Sequence, residues 1–266
     1  MPRLRPPRSL CAVLPGGAAV AWSTAAAWSA VLAAALVALL AVAPDAAAWE
    51  VRPDAPEASF RLFHERFASA AYHYPRHGAK PLGIIGFEAY ADVAVDREFD
   101  DEAFYSDAVS GDLPVDTLGV ARVGARKGLP GNFDVGVAYG RALGGDLELV
   151  SGDLQWALLD GGAVSPALSF RLTATQNIDS GAYQLEQYGA EAFISKGFAI
   201  LAPYVGVGYV WDEGTLERSD GSRVSHDDSR FVAYGGVVLN LLLPKIVVEV
   251  ESAEHVQGAV RLAFGF

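Results

Sequence analysis

A chain of 266 residues, 52% of them hydrophobic, has material for one large domain. Its formal charge of −12 argues against nucleic-acid binding, which needs a basic face. The single cysteine, Cys11, excludes a disulfide framework and a sulfur-ligated metal cluster.

Residues 1–48 carry Arg3, Arg5 and Arg8, an Ala/Leu/Val run from Ala30 to Ala43, and Ala46-Ala47-Ala48 before Trp49. A positive start, a short apolar stretch and a small-residue exit are the pattern of a secretory signal, with cleavage expected after Ala48. The apolar run is shorter than the ~20 residues that span hydrocarbon as a helix. Three of the 20 basic residues and one of the 32 acidic ones precede Trp49, so the mature part has 17 and 31, a formal charge of −14. It also has no cysteine.

Residues 49–80 are expected to form a periplasmic helix and linker. Phe60, Phe63, Phe67 and Ala70 recur near helical spacing over 57–74, with Glu57, Arg61, Glu65 and Arg66 between them. This predicts a short amphipathic helix ending near the Tyr74-Pro75 step, docked across the periplasmic end of the domain that follows. A plug or gate in that domain's lumen and a partner-binding helix are the other readings. His73 and His77 read as linker residues because Pro75 lies between them.

From Pro81 onward the chain alternates apolar and other residues in runs of roughly 8–12, the period of a strand. In 85–96, Ile85, Phe87, Ala89, Ala91, Val93 and Val95 share one face, and Gly86, Glu88, Tyr90, Asp92 and Asp96 the other. Ten runs are predicted, at 83–96, 117–127, 133–143, 148–159, 166–176, 185–195, 200–212, 229–241, 245–252 and 256–266. The links at 97–116, 177–184 and 213–228 read as long loops, and most of those at the opposite end as short turns, the asymmetry of a membrane barrel. Tyr139, Tyr209 and Trp211 should lie towards one interface; Phe133, Trp156, Phe264 and Phe266 should lie near the other. The expected fold is all-β, a closed antiparallel transmembrane β-barrel of about ten strands over 81–266, after a short N-terminal helix.

The final run alternates Val260, Leu262, Phe264 and Phe266 with Ala259, Arg261, Ala263 and Gly265. It resembles the terminal strand by which outer-membrane proteins are recognised for assembly. The stretches Pro81 to Glu88, Arg126 to Pro130, Phe133 to Gly136 and Pro203 to Gly208 also resemble an uncharacterised group of small proteobacterial outer-membrane proteins, in the OmpA-like and porin-like barrel superfamily. That resemblance spans most of residues 70–266. It implies a location in the outer membrane of a Gram-negative cell, contact with lipid and lipopolysaccharide, and delivery by the barrel-assembly machinery. It supplies no catalytic residues.

The inward faces should gather Glu88, Asp92, Asp134, Asp153, Glu191 and Glu249 against Arg122, Arg126, Arg171 and Arg261. Buried charges must pair or stay wet, and Arg122 and Arg126 are expected to meet Glu88 and Asp92. Chemistry is hard to find elsewhere. Asp100-Asp101 and His226-Asp227-Asp228, placed in long loops, match the omptin proteases only in residue type. Ser225-His226-Asp227 cannot be a ready triad, because contiguous side chains point apart. No metal set and no cofactor motif is present. The expected protein is therefore a non-enzymatic barrel with an envelope-structural or surface-contact role, monomeric or weakly associated. A narrow, acid-lined passive channel for ions or small solutes is the alternative, and a rim-site hydrolase is a distant third.

Overall fold

The computed structural model describes residues 49–96, 102–111, 118–178, 181–241, 244–252 and 256–266. The signal expected at 1–48, the terminal stretch of the 97–116 link and Asp100-Asp101 lie outside them. Ten strands close into one antiparallel barrel: β2 (Phe87–Asp96), β4 (Leu118–Leu129), β5 (Phe133–Ala142), β6 (Glu148–Asp160), β7 (Ala167–Asn177), β8 (Tyr183–Ser195), β9 (Leu201–Glu217), β10 (Arg223–Asn240), β11 (Pro244–Ser252) and β12 (Val256–Gly265). Each strand pairs with its neighbours in sequence, and β12 pairs with β2 to close the ring. Phe266 extends that seam, exchanging both backbone hydrogen bonds with Phe87 at 3.1 Å.

Closure with alternation sorts the side chains into two populations. On β9, Val205, Val207, Tyr209 and Trp211 are exposed on the outer wall, while Tyr204, Val210 and Asp212 are buried inside. The first strand starts at Phe87 rather than residue 83, because Gly83, at φ +78°, turns the chain and its carbonyl accepts from Gly86 N at 2.9 Å.

One link expectation is corrected. Residues 213–228 are not a loop: β9 and β10 run on to a link at 218–222, in register from Arg223↔Glu217 to Leu239↔Leu201. The extension persists because Leu216 and Val224 face inward onto an apolar cluster. At the tip, Asp220 accepts from Ser222 N at 2.9 Å and Ser222 Oγ at 2.6 Å, and these bonds hold its carboxyl below the usual range. The barrel thus has a loop end, with the 97–117 link and this protruding hairpin, and a turn end with links at 130–132, 161–166, 196–200 and 241–243.

Three small elements sit at the loop end. Helix α1 (Glu57–Ala71) buries Phe60, Phe63, His64, Phe67 and Ala71. Helix α2 (Glu102–Ala108) leads into β3 (Val109–Ser110), which pairs with β1 (Glu50–Val51). Trp49, fully buried, donates its indole N–H to the Leu143 carbonyl at 3.0 Å and meets Phe63, Phe67 and Tyr105 edge-on. The expectation of a helix across the turn end is overturned. Its phenylalanines find a cluster of Leu118, Val120, Leu149, Tyr183 and Leu185 at the loop-end mouth, whereas the lumen below is charged. Burying each phenylalanine is worth roughly 1.5–3 kcal/mol.

Candidate functional site

Since α1 lies at one mouth and β2 begins at the other, residues 72–86 must pass between, and they do so inside the barrel. Tyr72, His73, Tyr74, Arg76 and Ala79 are each at most 1% exposed. This corrects the reading of His73 and His77 as linker residues. A Pro-interrupted stretch has no period to reveal burial, yet the lumen supplies polar partners along its length.

The partners come in tiers. At the loop end, His64 on α1 bonds through Nδ1 to Tyr183 Oη at 2.8 Å and through Nε2 to Asp212 at 2.8 Å, and Asp212 meets Arg230 at 2.8 Å. Gln187 donates to the Ala68 carbonyl at 2.6 Å, and Gln257 to Ser69 Oγ at 2.7 Å. Arg122 then closes the helix: its Nη2 donates to the carbonyls of Ala70, Ala71 and Tyr72 at 3.1, 2.6 and 3.2 Å. These are terminal carbonyls with no partner inside the helix, and a cation there also suits the helix dipole.

Below, Arg171 Nη1 donates to the His73 carbonyl at 2.6 Å and to Glu191 at 3.2 Å, while its Nε reaches Asp153 at 3.2 Å. Tyr72 Oη donates to Glu191 at 2.6 Å. Arg261 Nη1 donates to the Pro75 carbonyl at 2.7 Å, its Nη2 holds Asp92 at 2.7 Å, and its guanidinium lies 3.7 Å from the Tyr90 ring centroid. At the turn end, Ala79 N donates to Ser195 Oγ at 2.8 Å, Gln155 Nε2 to the Ala79 carbonyl at 3.2 Å, and Leu82 N to Asp134 at 3.1 Å. Three wall arginines thus bind the backbone of the inserted chain as well as wall carboxylates, in charge-assisted bonds stronger than neutral ones.

The residue at the centre comes from the inserted segment. Arg76 reaches Asp92 at 2.7 Å, Glu251 at 2.7 Å and Glu249 at 3.6 Å, and it is buried at a left-handed φ of 48°. A non-glycine residue keeps that conformation only where its surroundings over-determine it. Without Arg76, three carboxylates on β2 and β11 would face one another.

The ten charged residues named from the sequence, Glu88, Asp92, Arg122, Arg126, Asp134, Asp153, Arg171, Glu191, Glu249 and Arg261, are all buried inside the barrel. Their pairing differs in part from the expected one. Glu88 and Asp92 stand opposite Arg126 and Arg122 in register, and Arg122 approaches Asp92 at 3.7 Å. Arg126 instead pairs with Asp134 at 3.3 Å and donates to Gln155 at 2.8 Å, while Glu88 takes Lys245 of β11. Arg76, Tyr72, His64, Asp212 and Arg230 were missed.

Glycines were the available signal for them. A Cβ at Gly189 would stand 2.1 Å from Tyr72 Oη, and one at Gly214 2.2 Å from His64 Nδ1. These wall positions are bare because the inserted chain presses on them. Ten strands enclose little more than side chains can fill, so a whole extended chain fits only where the wall gives up its own.

The hydrolase candidates do not converge. His226 and Asp227 lie on successive positions of β10, His226 half-buried 3.4 Å from Glu65 of α1 and Asp227 exposed on the outer face. Among the described residues no group of three or more His, Cys, Asp or Glu is placed to hold a metal.

No family model and no curated protein matches the chain. Solved structures similar to it are small outer-membrane β-barrels of proteobacteria. The N-terminal β-barrel domain of Pseudomonas aeruginosa OprF is 12% identical, covers 69% of this chain and 99% of its own, and has a TM-score of 0.32. The Yersinia pestis attachment invasion locus protein Ail, solved with the heparin analogue sucrose octasulfate, is 12% identical over 68% of this chain and 96% of its own, TM-score 0.29. Neisserial surface protein A is 12% identical over 67% and 94%, TM-score 0.29.

Proposed function

We propose that this chain is an outer-membrane β-barrel of a Gram-negative cell, exported by a signal at 1–48, that serves envelope structure or surface contact without catalysis and is sealed by its own residues 57–82. One observation carries the reading: the barrel is inside out relative to a water-soluble one. Val137, Leu172, Val205, Phe231, Val250 and Val260, on strands spread around the ring, are 54–64% exposed on the outer wall, while six arginines are buried within. A continuous apolar exterior of this extent belongs in lipid.

Aromatic side chains border the wall. Phe133, Trp156 and Phe170 stack with centroids 6.1 and 6.4 Å apart towards the turn end, and Tyr209 and Trp211 lie 4.9 Å apart towards the loop end. Turns inward and loops outward is the usual orientation; it sets α1 and Trp49 on the cell surface and β12, with Val260, Leu262, Phe264 and Phe266, where the assembly machinery acts. Lipid and lipopolysaccharide are the expected partners of a monomer, with no cofactor.

The test uses the three tryptophans of residues 49–266. In vesicles of lipids brominated along the acyl chain, Trp156 and Trp211, 41% and 48% exposed on the outer wall, are expected to be quenched and the enclosed Trp49 spared, read in variants that keep one tryptophan each. Equal quenching of all three, or none of the outer pair, would overturn the membrane assignment.

A further inference from the structure

At the turn end the filling is incomplete. A cavity of about 390 Å³ lies between the emerging segment 76–82 and the lower barrel wall, within the size range of small-molecule sites. Its lining divides in two. Val238, Val247 and Ala263, buried lumen positions of β10, β11 and β12, make one side apolar in a lumen that is otherwise charged. Lys80, Arg126 and His77 form the other.

The polar side has bonding capacity left over. Arg126 is spent on Asp134 and Gln155 through Nη2, but its buried Nε has no hydrogen-bond partner. His77 Nδ1 lies 2.8 Å from the Gly78 carbonyl, which can only accept, so that nitrogen carries the proton. In the neutral ring Nε2 is then an acceptor, and it is buried without a partner. Lys80 brings an exposed ammonium to the rim of the same cavity. A buried donor and a buried acceptor left unmatched carry a desolvation cost that a complementary ligand relieves.

We infer that this cavity is a binding site for a small aliphatic hydroxycarboxylate entering from the turn end: its carboxylate meets Arg126 Nε and Lys80, its hydroxyl donates to His77 Nε2, and its hydrocarbon lies on Val238, Val247 and Ala263. The site is independent of the membrane reading, because it needs only the folded barrel.

The test is NMR titration of the refolded chain 49–266 in amphipol with 3-hydroxyhexanoate labelled at the carboxyl carbon, beside hexanoate and hexane-1,3-diol. Saturable binding of the hydroxy acid is expected, with the diol weaker by about tenfold or more, the worth of one charge-assisted bond. Lys80→Gln, an exposed change that leaves the fold intact, is expected to weaken the hydroxy acid and leave the diol unchanged. In His77→Leu the hydroxy acid should lose its advantage over hexanoate. Binding that does not saturate in a folded barrel, or equal binding of all three probes to the unsubstituted protein, would overturn the assignment.

Discussion

Arg76 carries more of the interior than any wall residue, because its one guanidinium touches carboxylates from two strands. Removing one member of a buried charge cluster costs about 3–5 kcal/mol, since the others stay buried without compensation. Arg76→Met is therefore expected to lower the urea midpoint of the folded barrel, followed by its heat-modifiable gel shift, by an amount of that order. Arg141→Met is the control: its partner Asp146 is 2.9 Å away, but both side chains are more than 40% exposed, and such pairs are worth about 0–1 kcal/mol. Equal midpoints for Arg76→Met and the unsubstituted barrel would remove Arg76 from its central place.

Among elements, the β9–β10 hairpin illustrates how tertiary contact extends secondary structure. Residues 213–228 are rich in Asp, Ser and Gly, which read locally as loop; their strand pairing continues because Leu216 and Val224 close over α1. Replacing 214–225 by Asn-Gly, a two-residue hairpin turn, is expected to leave the barrel heat-modifiable but to expose α1 and the 72–86 segment to protease. Continued protection of the segment would show that the hairpin does not clasp the helix. The ten strands were legible because each alternates for long enough to show a period of two, and most boundaries fall within two residues of the pattern. The path of 72–86 was not, because Tyr72-His-Tyr-Pro-Arg-His77 has no period and draws its order from groups far away in sequence, such as Arg171 and Asp92. The lumen charges were visible as a set, but their pairing was not, because the inserted Arg76 and Lys245 from β11 redistribute the partners.

Across the whole molecule, charge is polarised along the barrel axis. All four lysines, Lys80, Lys127, Lys196 and Lys245, lie at the turn end. Lys127 donates to the carbonyls of Ile84, Gly86 and Gly128, and Lys196 to those of Gly162, Ala163 and Ser165 at 2.8–3.2 Å, so both also pin the chain there. Acidic groups such as Glu186, Glu213, Asp220, Asp227 and Asp228 crowd the loop end. Between the two, the inserted segment fills the middle of the lumen with paired side chains and backbone, which leaves no role for an open pore in the resting barrel. The most direct measurement is ionic current through planar bilayers holding single copies of the chain 49–266, with heat-modifiable folding checked on the same preparation. The sealed barrel is expected to give no steady conductance, and to give one when residues 49–80 are deleted and the barrel still folds. A steady current from the intact folded chain would contradict the seal and favour the acid-lined channel.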